Sequence, residues 1–322
     1  MKGMEKRLKI AVLDRDTVGH DVPLTALEAV GDVTVYGLTP PELVEERLAG
    51  VDVAVINKIK LNETNLAGND TLKLICLLAT GYDNVDTKYC GARGIGVCNV
   101  AGYSTQSVAQ MTVTMALSLL SHLPVYQRFT ASGEYSRQKM MNRIEPVFHE
   151  IAGKTWGIIG FGNIGRQVAR VAEALGCRIL VCKRTPVEGY TNVDVDTVCR
   201  EADIISIHTP LSDETRGMIS EERIALMKKD AILVNVARGA VADEAALAKA
   251  VLEGRLGGLG VDVYSTEPYP EDHPYSAIAA LDNVCLTPHM AWGAYESRKR
   301  CVEEIGENIR SFMDGGRRNR VD

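Results

Sequence analysis

The sequence contains two successive series of short apolar runs rich in Val, Ile and Leu, and most of these runs are separated by stretches of helical spacing. The first series extends from LKIAVLD to GIGVCNV (8–100), and the second extends from TWGIIG to NVCLTP (155–288). Runs that are apolar on both faces are typical of strands in a parallel sheet covered by helices. Because two separate series indicate two sheets, the sequence predicts an α/β protein with two doubly wound parallel-sheet domains.

Composition narrows the class of protein further. A chain of 322 residues, 46% hydrophobic and 24% charged, is long enough for two domains with separate cores. Its net charge of -6 argues against a general nucleic-acid or anionic-membrane surface, since such surfaces are basic. The eight cysteines contain no CxxC pair of zinc-like spacing, so we expect reduced thiols and no metal site. No run approaches the roughly 20 apolar residues of a membrane span, and we expect a cytoplasmic protein without membrane or nucleic-acid partners.

A glycine-rich turn follows the first strand of the second series. The stretch TWGIIGFGNIG presents Gly160, Gly162 and Gly165 as G-x-G-x-x-G between a predicted strand and a predicted helix. A dinucleotide requires these glycines for the tight turn, for approach of the diphosphate and for close packing of helix on strand. The backbone N–H groups of Asn163 and Ile164 would then point at phosphate. The motif predicts dinucleotide binding, with a structural glycine turn or another nucleotide such as S-adenosylmethionine as alternatives.

Polar side chains follow three later strands of the same series. Arg238 lies in VNVARG, Asp262 and Glu267 lie in VDVYSTEP, and His289 lies in LTPHMAW. The carboxyl ends of the strands in a doubly wound sheet line the ligand crevice. We therefore expect these side chains to converge beside the nicotinamide.

These motifs, in this order and spacing, resemble those of a known family. With the glycine turn and IHTPL (207–211), the three motifs above match the D-isomer-specific 2-hydroxyacid dehydrogenases. The stretches ATGYDNVD (79–86) and NVAGYSTQSVAQ (99–110) look like substrate-domain signatures of that family. The resemblance covers essentially the whole chain and is greatest to the glycerate dehydrogenase and hydroxypyruvate (glyoxylate) reductase group.

The resemblance implies a particular domain organisation. A flavodoxin-like substrate domain would comprise residues 1–102 and 294–322, because in this family the C-terminal helix completes the N-terminal domain. A Rossmann domain that binds NAD(P) would comprise residues 103–293. Within it, a helix over 104–123 would bridge the domains and contact the second subunit of a homodimer.

The resemblance also assigns roles in the reduction of a 2-oxoacid. Such a reduction needs a cation that holds the carboxylate and polarises the carbonyl, and an acid that protonates the alkoxide. Arg238 suits the first role because its planar fork stays charged, and His289 suits the second because imidazole titrates near neutrality. Glu267 would orient His289 and stabilise its protonated form. An Arg paired with a surface carboxylate and a purely structural His are the alternatives.

Further contacts follow from the same resemblance. Substrate would be bound by Arg238, His289 and the backbone N–H groups of Thr80 and Gly81, for which a plain tight turn is the alternative. Asp262 would lie on the nicotinamide side of the cofactor, or else cap a turn at the strand end. His208 is interpreted as structural. Other cofactor contacts are expected at Thr209, Pro210 and Ala237.

The stretch ILVCKRTP (179–186) bears on the choice of cofactor. Members of the family that prefer NAD place an Asp where this chain has Lys183, and Arg184 and Thr185 follow. Loss of the carboxylate removes ribose hydrogen bonds, while the basic pair and the hydroxyl supply partners for a 2′-phosphate. We predict that NADP is preferred over NAD, the alternative being a solvated basic pair in an enzyme that uses NAD.

The sequence thus predicts NAD(P)H-dependent reduction of a small 2-oxoacid such as hydroxypyruvate or glyoxylate to the D-2-hydroxyacid. A larger 2-oxoacid remains an alternative substrate, because loop side chains set the size of the pocket. A non-catalytic NAD(H)-sensing regulator of the same fold is the main alternative function. Another Rossmann enzyme, such as a methyltransferase or an adenosylhomocysteinase-like hydrolase, would leave the three later motifs unexplained.

Overall fold

A computed structural model of the protein describes residues 7–322. The chain divides into two compact units, the first formed by Met1–Ser104 with Gly293–Asp322 and the second by Thr105–Trp292. The strands are β1 (Leu8–Val12), β2 (Gly31–Val35), β3 (Val53–Ile56), β4 (Leu74–Leu77), β5 (Gly96–Cys98), β6 (Thr155–Ile159), β7 (Arg178–Cys182), β8 (Thr191–Asn192), β9 (Ile204–Ile207), β10 (Ile232–Asn235), β11 (Gly258–Val261) and β12 (Val284–Leu286). The α-helices are α1 (Thr25–Glu28), α2 (Val44–Leu48), α3 (Glu63–Leu66), α4 (Thr87–Ala92), α5 (Thr105–Leu120), α6 (Leu123–Ala131), α7 (Glu134–Arg137), α8 (Asn163–Ala174), α9 (Val195–Glu201), α10 (Glu221–Leu226), α11 (Glu244–Leu252) and α12 (Tyr295–Met313).

The first unit contains a five-stranded parallel sheet in the order β2-β1-β3-β4-β5, which is the flavodoxin-like order. Every residue of β3 and β4 is buried, as expected for strands covered on both faces. The last helix, α12, packs against α1 and β4 of this unit. A Cβ on Gly306 would lie only 3.0 Å from the carbonyl oxygen of Ala26, so this glycine permits the close approach of α12 to α1.

The second unit contains a seven-stranded parallel sheet in the order β12-β11-β10-β9-β6-β7-β8. The order reverses at β6, which has β7 on one side and β9 on the other. In doubly wound sheets the ligand crevice lies outside the carboxyl ends of the strands at this reversal. The predicted fold class, two doubly wound parallel-sheet domains, is confirmed.

The helix predicted over 104–123 is shorter and is followed by a bend. α5 ends at Leu120, and α6 begins at Leu123 with its axis turned by 67°. Pro124 lacks the N–H that a continuing helix needs, and His122 before it adopts a left-handed φ of 49°. α5 packs on α8, β10 and β11 within its own unit. In residues 7–322 no single helix meets the length and apolarity requirements of a membrane span, although α5 and α6 meet them when counted together.

Candidate active site

Of the three glycines in the turn after β6, two are required by the protein's own packing and one is not. Gly160 has a φ of 91°, and a Cβ on it would lie 2.6 Å from the carbonyl carbon of His208. A Cβ on Gly165 would lie 2.3 Å from the carbonyl oxygen of Gly160, which shows how closely α8 approaches the strand end. A Cβ on Gly162 would meet no protein atom within 4 Å, so the protein's own packing does not require glycine there.

The start of α8 fits the diphosphate of a dinucleotide. Gly162 is the N-cap and has no side chain to cap the helix, so the first N–H groups, those of Asn163 and Ile164, face outward from the helix end. The helix dipole adds partial positive charge at the same place. Open space beside Gly162 and N–H donors at the helix end are what close approach of a phosphate requires.

The predicted basic stretch lies directly beside this turn. Gly160 N–H donates to the carbonyl oxygen of Cys182, the last residue of β7, so Lys183 follows at the edge of the turn. Lys183, Arg184 and Thr185 are all exposed. Arg184 Nη1 donates to Glu214 Oε2 at 3.2 Å in an ion pair whose two side chains are 90% and 69% exposed. An anionic ligand could therefore reach Lys183 and Arg184 from solvent, although Arg184 already pairs with Glu214.

The other side of the glycine turn is formed by the segment after β9. A Cβ on Gly160 would lie 2.7 Å from the backbone nitrogen of Thr209, and the carbonyl oxygen of Pro210 accepts from Thr215 Oγ1 at 2.7 Å. His208, between strand and turn, contacts Ser206 Oγ through Nε2 at 2.9 Å. Burial lowers the pKa of His208 to about 3, so its ring is neutral near pH 7, and a purely structural role stays a prediction.

Arg238 lies just after β10, half-buried, and its backbone is held by a side chain that sequence reasoning missed. Asn235, only 2% exposed at the end of β10, donates from Nδ2 to the carbonyl oxygen of Arg238 at 3.0 Å and accepts from Ala237 N–H at 3.1 Å. Arg238 Nη1 in turn donates to the carbonyl oxygen of Ala237 at 2.8 Å. A buried Asn inside the apolar run AILVNV was the available signal, because buried amides need partners.

The segments that carry Arg238 and Glu267 are in direct backbone contact. A Cβ on Gly239 would lie 2.0 Å from the carbonyl carbon of Tyr264 and 2.2 Å from Ser265 N, so any side chain there would push the two segments apart. The N–H of Tyr264 donates to Glu267 Oε1 at 2.9 Å. Tyr264 therefore contacts both segments: its carbonyl carbon packs against Gly239, next to Arg238, and its N–H donates to Glu267.

Glu267 and His289 form a hydrogen-bonded pair. Glu267 Oε2 lies 2.6 Å from His289 Nδ1, with the two side chains 31% and 24% exposed. A carboxylate at Nδ1 places the Nδ1 proton in this hydrogen bond and leaves Nε2 as the nitrogen for a reacting proton. His289 adopts a left-handed φ of 51°, an uncommon conformation that the surrounding hydrogen bonds hold.

Asp262 is one of the groups that hold His289 in this left-handed conformation. The side chain is 1% exposed, and burial raises the pKa of its carboxyl above the ordinary value. Oδ1 accepts from Thr287 Oγ1 at 2.6 Å and from Met290 N–H at 2.8 Å, and Oδ2 accepts from Ala291 N–H at 2.9 Å. The carboxylate is therefore hydrogen-bonded to the chain on both sides of His289. This geometry is that of a turn cap, while a contact with nicotinamide stays a prediction.

The predicted substrate loop lies in the first unit, just after β4. Thr80 Oγ1 donates to the carbonyl oxygen of Val100 at 2.9 Å, and the carbonyl oxygen of Thr80 accepts from Asn99 Nδ2 at 2.7 Å. The hydroxyl of Thr80 is thus used within its own unit. Binding of a ligand by the backbone N–H groups of Thr80 and Gly81 stays a prediction.

Comparison with known proteins agrees with this arrangement. A family model described as "D-isomer specific 2-hydroxyacid dehydrogenase, NAD binding domain" matches residues 113–291. The glycerate dehydrogenase of Methylorubrum extorquens is 35% identical over 98% of this chain and 99% of its own length. The hydroxypyruvate reductase of Blautia hydrogenotrophica is 32% identical over 96% of this chain and 98% of its own length.

Solved structures include a similar NADPH-dependent glyoxylate/hydroxypyruvate reductase from Sinorhizobium meliloti, in complex with NADP and malonate. It superposes with a TM-score of 0.84 at 26% identity, covering 98% of this chain and 97% of its own. The family model, the curated relatives and the fold agree with one another. The chain therefore belongs to the D-isomer-specific 2-hydroxyacid dehydrogenases, a family of oxidoreductases.

Proposed function

We propose that the protein reduces a small 2-oxoacid, of the hydroxypyruvate or glyoxylate kind, to the D-2-hydroxyacid with NADPH or NADH. The observation that carries the proposal is the His289–Glu267 pair, joined through Tyr264 to the segment of Arg238 at the carboxyl edge of the sheet that also bears the glycine turn. The relatives named as glycerate dehydrogenase and hydroxypyruvate reductase support the same substrate class.

Each side chain has a defined task in this reaction. Arg238 holds the substrate carboxylate and polarises the carbonyl group. When bound, the reduced nicotinamide supplies the hydride. His289 donates the proton on Nε2 to the alkoxide oxygen as it forms, and Glu267 stabilises the imidazolium from which that proton leaves. In the oxidative direction the same Nε2 accepts the proton. The predicted backbone donors of Thr80 and Gly81 would add hydrogen bonds to the carboxylate.

Initial rates with hydroxypyruvate, glyoxylate, pyruvate and phenylpyruvate, each with NADPH and NADH, test the proposal. We expect turnover to be fastest with hydroxypyruvate and glyoxylate, and we expect a loss of about 10²–10³-fold in kcat for Arg238→Gln and for His289→Gln. His20→Gln, at a side chain 72% exposed in the other unit, is the matched control and should keep wild-type rates. Tight NADH binding without turnover of any 2-oxoacid would favour the non-catalytic regulator instead.

The cofactor preference is a separate proposal. We infer that NADPH is preferred, because Lys183, Arg184 and Thr185 are exposed beside the glycine turn and can supply cations and a hydroxyl for a 2′-phosphate. A charge-assisted hydrogen bond contributes about 1.5–3 kcal/mol, so Lys183→Asp should weaken NADPH binding by roughly tenfold or more. Lys229→Asp, at another exposed lysine of the same unit, controls for net charge. Equal dissociation constants of the wild-type protein for NADPH and NADH would contradict the preference.

Glu214 tunes this preference. Its carboxylate pairs with Arg184 at 3.2 Å and so competes with a phosphate for the same guanidinium. Because exposed ion pairs contribute at most about 1 kcal/mol, Glu214→Gln should tighten NADPH binding by no more than about fivefold and leave NADH binding unchanged. The gain should shrink as salt is added, because screening weakens exposed ion pairs. An equal gain for both cofactors would contradict competition at Arg184.

We also propose a homodimer. Eight residues of α5 are buried, whereas the segment after it exposes large apolar side chains. These exposed residues are Leu123, Tyr135, Met140, Met141, Ile144, Val147 and Phe148. Sedimentation should therefore show a dimer that Ile144→Glu weakens, whereas Leu252→Glu, at another exposed apolar residue, in α11, should not. A monomeric wild-type protein at micromolar concentration would contradict this proposal.

The compartment we propose is the cytoplasm. All eight cysteines are free thiols and six of them are buried. Free thiols persist in reducing compartments.

A further inference from the structure

A second pair of histidine and glutamate, Glu244 and His273, lies buried in the same unit. Glu244 Oε2 lies 3.0 Å from His273 Nε2, and the two side chains are only 9% and 5% exposed. Nδ1 of His273 accepts from Tyr275 N–H at 3.2 Å, so the ring proton is on Nε2 and donates to Glu244. The tautomer of His273 is thus fixed from both sides.

The carboxylate of Glu244 binds Ser265, which belongs to the turn YSTEP (264–268) that carries Glu267. Oε1 accepts from Ser265 N–H at 2.9 Å, and Oε2 accepts from Ser265 Oγ as well as from His273. Glu244 is also the first residue of α11, where the helix dipole favours a negative charge. A buried carboxylate is costly unless its oxygens are satisfied, and here three donors satisfy them.

The hydrogen bonds from Ser265 to Glu244 matter because Ser265 adjoins Tyr264, which contacts both site segments. Its backbone nitrogen forms the peptide with Tyr264, and that peptide is the one against which Gly239, next to Arg238, packs. The N–H of Tyr264, which belongs to the preceding peptide, donates to Glu267 Oε1. A displacement of Ser265 therefore reaches the arginine and the glutamate together.

A row of aromatic rings connects His273 with the segment that carries His289. The ring of His273 lies 4.9 Å from that of Tyr269, which lies 4.7 Å from the ring of Tyr264. Tyr264 Oη donates to the carbonyl oxygen of Thr287 at 2.9 Å, two residues before His289. Burial raises the pKa of Tyr264 above its ordinary value, so this donor keeps its proton. The His273 side chain is thus packed under the turn that carries Glu267.

We propose that Glu244 and His273 are positioning residues for the acid/base pair: they fix the turn at Ser265 and thereby set Glu267 on His289. The inference rests on the proposed function for its kinetic consequences, but not for its structural ones. Neither residue is assigned a contact with substrate or cofactor.

Glu244→Gln tests the proposal with little change of volume. An amide can replace only one of the two acceptor oxygens, so its NH2 group meets a donor, either Ser265 N–H or His273 Nε2–H. Misplacement of catalytic groups by about 1 Å can cost about 10²-fold in rate, and we expect kcat to fall between tenfold and that value. The dissociation constant for NADPH should change less than about twofold, because the glycine turn is untouched. Asp243→Asn, at the neighbouring N-cap that accepts from Ala246 N–H, is the matched control for damage to α11.

A double-mutant cycle separates positioning from general destabilisation. If Glu244 acts mainly through Glu267, Glu244→Gln should lower kcat much less in a Glu267→Gln background than in the wild-type protein. Equal losses of kcat in both backgrounds, or a fully active Glu244→Gln protein, would overturn the proposal. Thermal unfolding of each variant verifies that the compared proteins are folded.

Proton NMR of the intact protein gives a readout that needs no turnover. The Nδ1 proton of His289, held by a 2.6 Å hydrogen bond, should give a downfield resonance that is absent from His289→Gln. We expect Glu244→Gln to shift or broaden this resonance, and Asp243→Asn to preserve it. An unchanged resonance in Glu244→Gln would overturn the inference even if the wild-type protein proved inactive on every 2-oxoacid. Inactivity with the expected change of resonance would overturn only the proposed function.

Discussion

Asp262→Asn is the substitution that best separates two roles for the most buried carboxylate near the site. In the structure, Asp262 accepts hydrogen bonds from Thr287, Met290 and Ala291, and so fixes the chain on both sides of His289. The resemblance to the family instead implied a contact with nicotinamide. The two roles predict losses in different measured quantities.

The size of the effect follows from the hydrogen bonds. Asparagine keeps one acceptor oxygen, and its NH2 group must then face either Ala291 N–H or the donors of Met290 and Thr287. A buried donor left without an acceptor costs about 1–3 kcal/mol, so the variant should lose about 2 kcal/mol of unfolding free energy. Because the segment that relaxes carries His289, kcat should fall at least about tenfold.

Three measurements decide between the roles: kcat with hydroxypyruvate, the dissociation constant for NADPH from its fluorescence, and the midpoint of urea unfolding. Asp203→Asn is the control, because Asp203, just before β9, also accepts from a backbone N–H, that of Thr155, and in addition pairs with Lys228. It should lower stability without lowering kcat. An Asp262→Asn protein with full kcat, full stability and weakened NADPH binding would refute the anchoring role.

Two further predictions concern the glycine turn and its neighbour. Gly162→Ala should leave the unfolding free energy within about 0.5 kcal/mol of wild type but weaken NADPH binding, whereas Gly165→Ala should lower stability itself because its Cβ would meet Gly160 O at 2.3 Å. Equal stability losses in both variants, measured by urea unfolding, would contradict this. The depressed pKa of His208, about 3 against an ordinary 6.5, means that its stabilising contribution is present above pH 6.5 and is lost as the pH falls toward 3. Between pH 7 and pH 4 this loss should reach about 3 kcal/mol, and His208→Phe should flatten that part of the stability profile; an unchanged profile would show that His208 does not titrate this way.

Most of the fold was predictable because its signals are local. Fully apolar runs of strand length, separated by helical stretches, led to both parallel sheets, and all predicted strands are present. β8 was missed because it has only two residues, both exposed, and so produces no apolar run. The helix over 104–123 was predicted too long, because its apolar composition continues past the place where Pro124 forces a new helix.

In the candidate site, too, the local features were predictable from the sequence and the long-range contacts were not. Arg238, Glu267 and His289 were predictable because each follows a strand end, which the sequence pattern locates. The groups that hold them were not, because their contacts join residues far apart in the chain. In the sequence Glu244 is an ordinary acidic residue in the first turn of a helix. Nothing in the adjacent sequence indicates its hydrogen bond with Ser265, 21 residues later. Asp262 was placed correctly at a strand end, but its hydrogen bonds to the chain around His289 depend on the pairing of β11 with β12.

The most direct test of the central claim is the rate of NADPH oxidation with hydroxypyruvate, measured for the wild-type protein, Arg238→Gln and His289→Gln under identical conditions, with the configuration of the product determined. The account predicts D-glycerate from the wild-type protein and rates about 10²–10³-fold lower in both variants, each of which still binds NADPH. An L-configured product, or a His289→Gln protein as fast as wild type, would contradict it.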